Sequence, residues 1–261
     1  MEISLVIVLI AGWAGGWLVN YLADVLPVTR RFSRPACPRC DHPYTARDYL
    51  LFRVCRACGK GRTLRARAVQ VLTAAAFLYF WMNPPRAIGF PLGALLLLYF
   101  GVVLVIDLEH RLILHPTSLF GALLGLVVGY LRQGLPSTLI GGAVGFGIVF
   151  LFYLLGALFT KIRARRLQAA GLEADDEEAF GAGDVILATV LGFMLGWPLI
   201  WFGILFGVLL GGLIGGLVML ILFLSGKFKA WMVFIPFGPF FVASAFLIIY
   251  LPQVVQFMVP K

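Results

Sequence analysis

The chain has 261 residues, of which 61% are hydrophobic and only 13% are charged, and its formal net charge is +9. A soluble domain has about 45–50% apolar and about 25% charged residues, so this composition excludes an ordinary soluble protein and indicates a polytopic membrane protein. The basic residues lie between hydrophobic runs, as topology signals do. We therefore expect the lipid bilayer as a partner, and no nucleic acid.

The hydrophobic runs predict an all-α polytopic membrane protein with about eight transmembrane helices. A spanning helix needs about 17–25 residues. Three of the eight candidates are short for this length, and the Trp197-Pro198 break between the sixth and seventh is a plausible turn. The candidates lie at roughly 3–27, 67–82, 90–108, 117–131, 137–160, 183–197, 198–224 and 233–251.

Most of the 21 Lys and Arg residues fall in one set of loops. Cytoplasmic loops carry an excess of basic residues, so these loops are predicted to be cytoplasmic and both termini to be outside. The first span begins with Glu2, lacks a basic leading segment and has no small-x-small cleavage site. It is therefore interpreted as a retained span and not as a signal peptide. The basic loops are 30–66, 109–116, 161–182 and 225–232.

The loop 30–66 contains "CPRC" and "CRAC", which place Cys37, Cys40, Cys55 and Cys58 as two C-x2-C pairs. Two such pairs can complete a tetrahedral zinc site, and the reducing cytoplasm disfavours disulfides. We predict a small cytoplasmic zinc-knuckle loop, with a metal-free or redox site as the alternative. Its arginines could contact anionic lipid headgroups or form a solvated basic face. The chain is thus divided into a first span (1–29), this loop (30–66) and a bundle (67–261).

Two aspartates lie at the ends of predicted spans. Asp107 closes the third span and Asp184 opens the sixth, so the topology places both at cytoplasmic depth. Neighbouring carboxyl groups resist joint ionisation, which lets one stay protonated while the other deprotonates water, as in aspartic proteases. Gly181 and Gly183 carry no Cβ and would let a substrate backbone approach Asp184. The alternative is that each aspartate is merely interfacial.

At these residues the chain resembles the type IV prepilin peptidases, which are intramembrane aspartic proteases. The resemblance rests on "IDLEHR" around Asp107 and "GAGD" at Asp184, together with "GGWLVNYLADVLP" near the N-terminus and "IPFGPF" at 235–240. It implies that Asp107 and Asp184 are the catalytic pair. It also implies that type IV prepilin or pseudopilin precursors are cut after a glycine, on the cytoplasmic side of the bacterial inner membrane.

Members of this family that have the cysteine-bearing loop typically also methylate the new N-terminus, using S-adenosylmethionine. The resemblance therefore implies a bifunctional enzyme, although no residue is assigned to the methyl donor. The chain departs from the family pattern at Val25, Gln70 and Ile186, and again at 114–116, where it reads Leu-His-Pro in place of Leu-Pro-Asp. Two alternatives remain: a transporter or channel that uses membrane carboxylates, and a presenilin-like or signal-peptide-peptidase-like protease.

Overall fold

A computed structural model describes residues 2–169, 181–225 and 236–255. Over these ranges the chain is helical and forms no β-strand apart from one isolated bridge between Ala36 and Pro43. The predicted all-α class is confirmed. The helices are α1 (Glu2–Thr29), α2 (Ala46–Leu50), α3 (Leu64–Met82), α4 (Gly89–His110), α5 (His115–Gln133), α6 (Leu135–Ala169), α7 (Ala182–Leu195), α8 (Leu199–Leu224), α9 (Gly238–Tyr250) and α10 (Pro252–Val255).

Each of the eight predicted segments overlaps one helix, and the break at Trp197-Pro198 separates α7 from α8. Residues 233–235 of the last segment lie outside the described residues. Four helices of the described ranges are long and apolar enough to cross a membrane, judged by length and composition. These are the stretches Ser4–Thr29, Gly89–His110, Leu135–Arg165 and Leu199–Leu224. α7 and α9 are apolar but shorter.

The chain divides into two compact units, Met1–Leu112 and Ile113–Lys261. In the first unit α1 packs against α3 and α4. Glycines allow the close α1–α3 approach, because a Cβ on Gly12 would lie 2.8 Å from the Cβ of Phe77. α1 and α3 therefore pack with almost no side chain between them at this point.

In the second unit α7 packs against α5, α6, α8 and α9, most extensively against α6. The α6–α7 contact is made by backbone: a Cβ on Gly145 would lie 2.4 Å from the carbonyl oxygen of Ala188, and one on Gly192 would lie 2.3 Å from that of Gly141. Small residues allow such close helix packing in membranes. α7 is thus fixed by direct contact with its neighbour. The acidic stretch "EADDEE" at 173–178, whose charge predicts a solvated loop or a segment that steers a basic leader peptide, lies outside the described residues.

Candidate functional site

The four cysteines predicted as metal ligands come together in the first unit. Their Sγ atoms all lie within 4.8 Å of one another. Cys37 and Cys58 are 3.7 Å apart at sulfur, and Cys40 and Cys55 are 3.6 Å apart. A disulfide has a sulfur–sulfur distance of about 2.05 Å, whereas two thiolates on one tetrahedral zinc, each about 2.3 Å from the metal, lie about 3.8 Å apart. The cluster therefore has the dimensions of a tetrahedral metal site and could hold one metal ion.

The two C-x2-C pairs form the same turn. In each pair the first cysteine donates its N–H to the carbonyl oxygen five residues later, and its own carbonyl accepts from the N–H four residues later. The residue at that fourth position has a positive φ in both turns. In the first turn the N–H of Cys37 donates to the carbonyl of His42, and that of Asp41 donates to the carbonyl of Cys37. In the second turn the N–H of Cys55 donates to the carbonyl of Lys60, and that of Gly59 donates to the carbonyl of Cys55.

The first turn also favours thiolate at Cys37. Burial raises the pKa of Cys37, but hydrogen bonds from the backbone of Arg39 and Cys40 and from the Tyr44 hydroxyl outweigh it and lower the pKa to about 6. Thiolate is the form that binds metal. The hydrogen bonds therefore prepare this sulfur for a cation.

The cysteine loop has little apolar core of its own. Cys37, Tyr44, Tyr49 and Cys55 form its buried cluster, against which Tyr21 of α1 packs. A loop with so small a core needs an additional cross-link, such as a bound metal ion, to stay folded. Polar contacts add to it: Asp48, which is buried, accepts from the Thr45 hydroxyl and pairs with Arg56 at 2.9 Å, and both contacts lower its pKa.

Asp24 of α1 fastens this loop to the helices. Its carboxylate accepts from the Tyr49 hydroxyl at 2.7 Å and pairs with Arg62 at 3.0 Å and Arg65 at 2.6 Å. The Arg62 guanidinium also lies 3.9 Å from the centre of the Tyr49 ring, within cation–π range. Asp24 thus joins the loop to α1 through three donors.

Arg65 extends the network to α4. Its guanidinium donates to Asn20 at 2.9 Å and to Glu109 at 2.9 Å, in addition to Asp24. Asn20 is fully buried and also donates to the carbonyl of Ala66 at 3.0 Å. From sequence alone Asn20 and Asp24 stand out as polar residues one turn apart on α1, but nothing in the pattern predicts that Arg65 is their shared partner.

Asp107 lies in the last turn of α4 and is buried. Its carbonyl accepts the N–H of Arg111, which ends the helix in a left-handed conformation. Asp184 lies in the first turn of α7 and is partly buried. The positive end of the helix dipole favours its carboxylate there. Each aspartate is therefore at the helix end that the sequence predicts, one in each unit.

The glycines beside Asp184 differ in their surroundings. Gly181 is exposed, and a Cβ there would meet only the backbone nitrogen of Gly183 and the Oδ2 of Asp184, at 3.9 and 4.0 Å. Gly183 instead faces Ile113, whose Cβ would lie 3.1 Å from an added Cβ. Open space next to the carboxylate is thus found at Gly181, while Gly183 packs closely against the segment before α5.

The comparisons with known proteins match these features. Residues 93–220, which include both aspartates, match the model of the type IV leader peptidase family. This part of the chain, 128 of its 261 residues, is similar to that family. The predicted resemblance is confirmed.

Two relatives are named prepilin leader peptidase/N-methyltransferase. One, from Myxococcus xanthus, is 27% identical over 202 residues, which are 72% of this chain and 55% of the relative. The other, from Aeromonas salmonicida, is 30% identical over 171 residues, which are 61% of this chain and 53% of the relative. The chain thus spans about half the length of these relatives. No solved structure matches it.

The apolar helices and the family together make this a multi-pass membrane protein. The transporter or channel and the presenilin-like protease are not favoured, because the match is to a leader peptidase family.

Proposed function

We propose that this protein is an intramembrane aspartic endopeptidase that removes the leader from type IV prepilin or pseudopilin precursors after a glycine. The observation that carries the proposal is the position of Asp107 and Asp184, each at a helix end and both inside the family match. In the reaction one carboxylate accepts a proton from water, which attacks the peptide carbonyl. The other, protonated, carboxyl group donates its proton to the carbonyl oxygen. When the tetrahedral intermediate collapses, this group takes a proton back from the intermediate's hydroxyl, and the first carboxyl group passes the proton that it took from water to the leaving amine.

The orientation follows from charge. Cytoplasmic placement of the basic loops puts the end of α4 and the start of α7 near the cytoplasmic face of a bacterial inner membrane, with both termini outside. The leader would be cut on that side. Gly181 leaves space beside Asp184 in which an extended peptide could lie.

The four cysteines would hold a structural zinc ion, which suits thiolate ligands in tetrahedral geometry. When bound, the metal would supply folding energy to the loop 30–66. We also propose that the new N-terminus is methylated, with S-adenosylmethionine as the methyl donor. The names of the two relatives support this second activity.

The test uses the purified protein in a bilayer and a precursor with a basic leader, a glycine before the cut and an apolar helix after it. Mass spectrometry reads the N-terminus of the product with and without S-adenosylmethionine. We expect cleavage in both samples and methylation only with the donor, after cleavage, because the amine does not exist before the cut. Absence of cleavage would refute the peptidase, and cleavage without any methylated product would refute the methyl transfer alone.

A further inference from the structure

A tight turn follows α1 and folds back along it. The stretch Ser4–Thr29 is long and apolar enough to cross a membrane, and Arg30, the residue after it, has a positive φ of 53°. Ser33 is then held against the helix at two points: its carbonyl accepts from the Tyr21 hydroxyl at 2.9 Å, and its own hydroxyl lies 3.4 Å from that of Thr29. The chain therefore stays beside the last two turns of α1 and does not run straight out into water.

This turn displays one aromatic ring between cations. Phe32 is 79% exposed, although the residue after it is fixed to α1. Arg30 and Arg31 are also exposed, and neither has an ion-pair partner among the residues that the structure describes. An apolar ring and unpaired basic residues that directly follow a membrane span are the combination that binds the interface of an anionic membrane.

The packing of α1 against α3 gives the depth of this turn. A Cβ on Gly16 would lie 3.0 Å from the Cα of Gln70, and the Asn20 side chain donates to the carbonyl of Ala66 at 3.0 Å. The two helices are thus antiparallel, and the first turn of α3 lies beside the part of α1 around Asn20. The last two turns of α1 therefore extend beyond the start of α3.

The exposed face of α3 shows how far the hydrocarbon of the bilayer reaches. Leu64, Ala68 and Val71 follow the i, i+4, i+7 spacing of one helix face, and all three are exposed, Leu64 to 83% and Val71 to 60%. In a membrane protein such an apolar stripe faces lipid, so the hydrocarbon reaches about as far as Leu64. Arg67 is exposed in the same turn of α3 and has no ion-pair partner in the described ranges, so its long side chain can reach the headgroups from there.

The turn after α1 then falls in the headgroup layer. This layer is about 5–7 Å thick on each side of the hydrocarbon, which is the length of about four residues of α-helix. Ser33 contacts α1 at Tyr21 and at Thr29, that is, along the two turns that pass through this layer. The neighbouring Phe32 therefore lies at the depth where its ring can meet acyl chains, and the arginines before it lie at the depth of the phosphates.

We propose that the turn 30–33 is an interfacial anchor: Phe32 inserts where headgroups meet acyl chains, and Arg30 and Arg31 bind the phosphates of anionic phospholipids. These two arginines contact headgroups and do not belong to a solvated face, because the hydrogen bond between Tyr21 and Ser33 keeps them beside the span. The anchor holds the entrance of the cysteine loop at the membrane surface. Lipid binding by this turn is separate from peptide cleavage and from methyl transfer.

The test records which lipid touches position 32. The full chain carries p-benzoylphenylalanine in place of Phe32 and is embedded in vesicles of phosphatidylglycerol and phosphatidylcholine. After irradiation, mass spectrometry measures the adducts with each lipid. The same replacement of Leu64 is the control for depth, because a side chain that faces lipid should form adducts. We expect adducts at both positions, and at position 32 phosphatidylglycerol should exceed its share of the vesicle severalfold.

Charge variants assign this preference to the turn. Arg30→Gln with Arg31→Gln removes both cations. Arg39→Gln with Arg47→Gln is the matched control, because these two arginines are exposed, belong to the same loop and lie outside the turn. One basic residue near an anionic surface contributes about fivefold in affinity. The preference for phosphatidylglycerol at position 32 should therefore fall at least about fivefold in the first double variant and stay near the parent's in the control.

Thermal unfolding of each variant checks that the loop is intact. Absence of lipid adducts at position 32, alongside adducts at position 64, would overturn the anchor, and so would adducts with a second copy of the chain in their place. An equal loss of preference in both double variants would assign it to the net charge of the loop and also overturn the proposal. Precursor cleavage is measured separately: adducts without cleavage refute the peptidase and leave the anchor, whereas cleavage without adducts does the reverse.

Discussion

The two units hold their candidate functional groups by opposite means. In the first unit the cysteine cluster and Asp24 are fixed by hydrogen bonds, ion pairs and four convergent thiols. In the second unit α7, which carries Asp184, is fixed by backbone contact through Gly145 and Gly192. A polar loop of this size cannot bury enough apolar surface to order itself, whereas apolar helices in lipid need close packing more than charge. The two units should therefore respond differently to substitution.

The largest effect is expected from the aspartates. Asp107→Asn and Asp184→Asn each remove a titrating carboxyl group with little change of volume, so cleavage of a precursor should fall by about a hundredfold or more. Expression and membrane insertion should stay near the parent's. Glu2→Gln, at the start of α1, serves as the control substitution of an acid. Cleavage by either variant at close to the parent rate would show that the aspartates do not act as a pair.

The second-largest effect is expected in the first unit, at the cysteine site, and is measured as metal content. Purified protein should hold about one zinc per chain, and Cys37→Ser with Cys55→Ser should lose it, because coordination needs both knuckles. Elemental analysis measures this, with Asp107→Asn as a control that keeps its zinc. Cleavage should fall less than in the aspartate variants. Four freely titrating thiols in the native parent would contradict a metal site.

Substitution of the glycines through which α6 and α7 pack is expected to destabilise the second unit. Gly145→Ala places a methyl group 2.4 Å from the carbonyl oxygen of Ala188, so α6 and α7 must separate, at a cost of about 1–3 kcal/mol. Gly147→Ala on the same helix is the matched control, because no atom lies within 4 Å of its added Cβ. Thermal unfolding in detergent should show a lower midpoint for the first variant only. Equal midpoints would mean that the helices do not pack through these glycines.

The smallest effect is expected at the hydrogen bond between Tyr49 of the cysteine loop and Asp24 of α1. Tyr49→Phe removes the hydroxyl that donates to Asp24 and should cost about 1 kcal/mol, because Asp24 keeps its two arginines. Limited proteolysis within 30–66 should become severalfold faster while zinc is retained. Tyr79→Phe, whose side chain is about half exposed, is the control. Unchanged proteolysis would show that the loop is held without this bond.

The sequence predicts some of these features better than others. Hydropathy locates the eight helices because long apolar segments have few other folds in lipid. C-x2-C spacing brings Cys37 close to Cys40, and Cys55 close to Cys58, because each pair forms its own local turn. The contacts of Arg65 with Asn20 and Asp24 join positions more than forty residues apart, and no local pattern records them. The packing of Gly183 against Ile113 is equally non-local, so the sequence shows a glycine but not what lies beside it.

The duplicated turn around the cysteines has a consequence for how this loop can vary. Its shape is set by the sulfur atoms, by backbone hydrogen bonds and by one residue of positive φ in each half, Asp41 and Gly59. The four residues between the cysteines have exposed side chains. Of these side chains, only that of Arg56 holds the loop, through its ion pair with Asp48. Natural substitutions can therefore change the surface of the loop, including its charge and the molecules that it binds, while the cysteine cluster and its two turns stay the same.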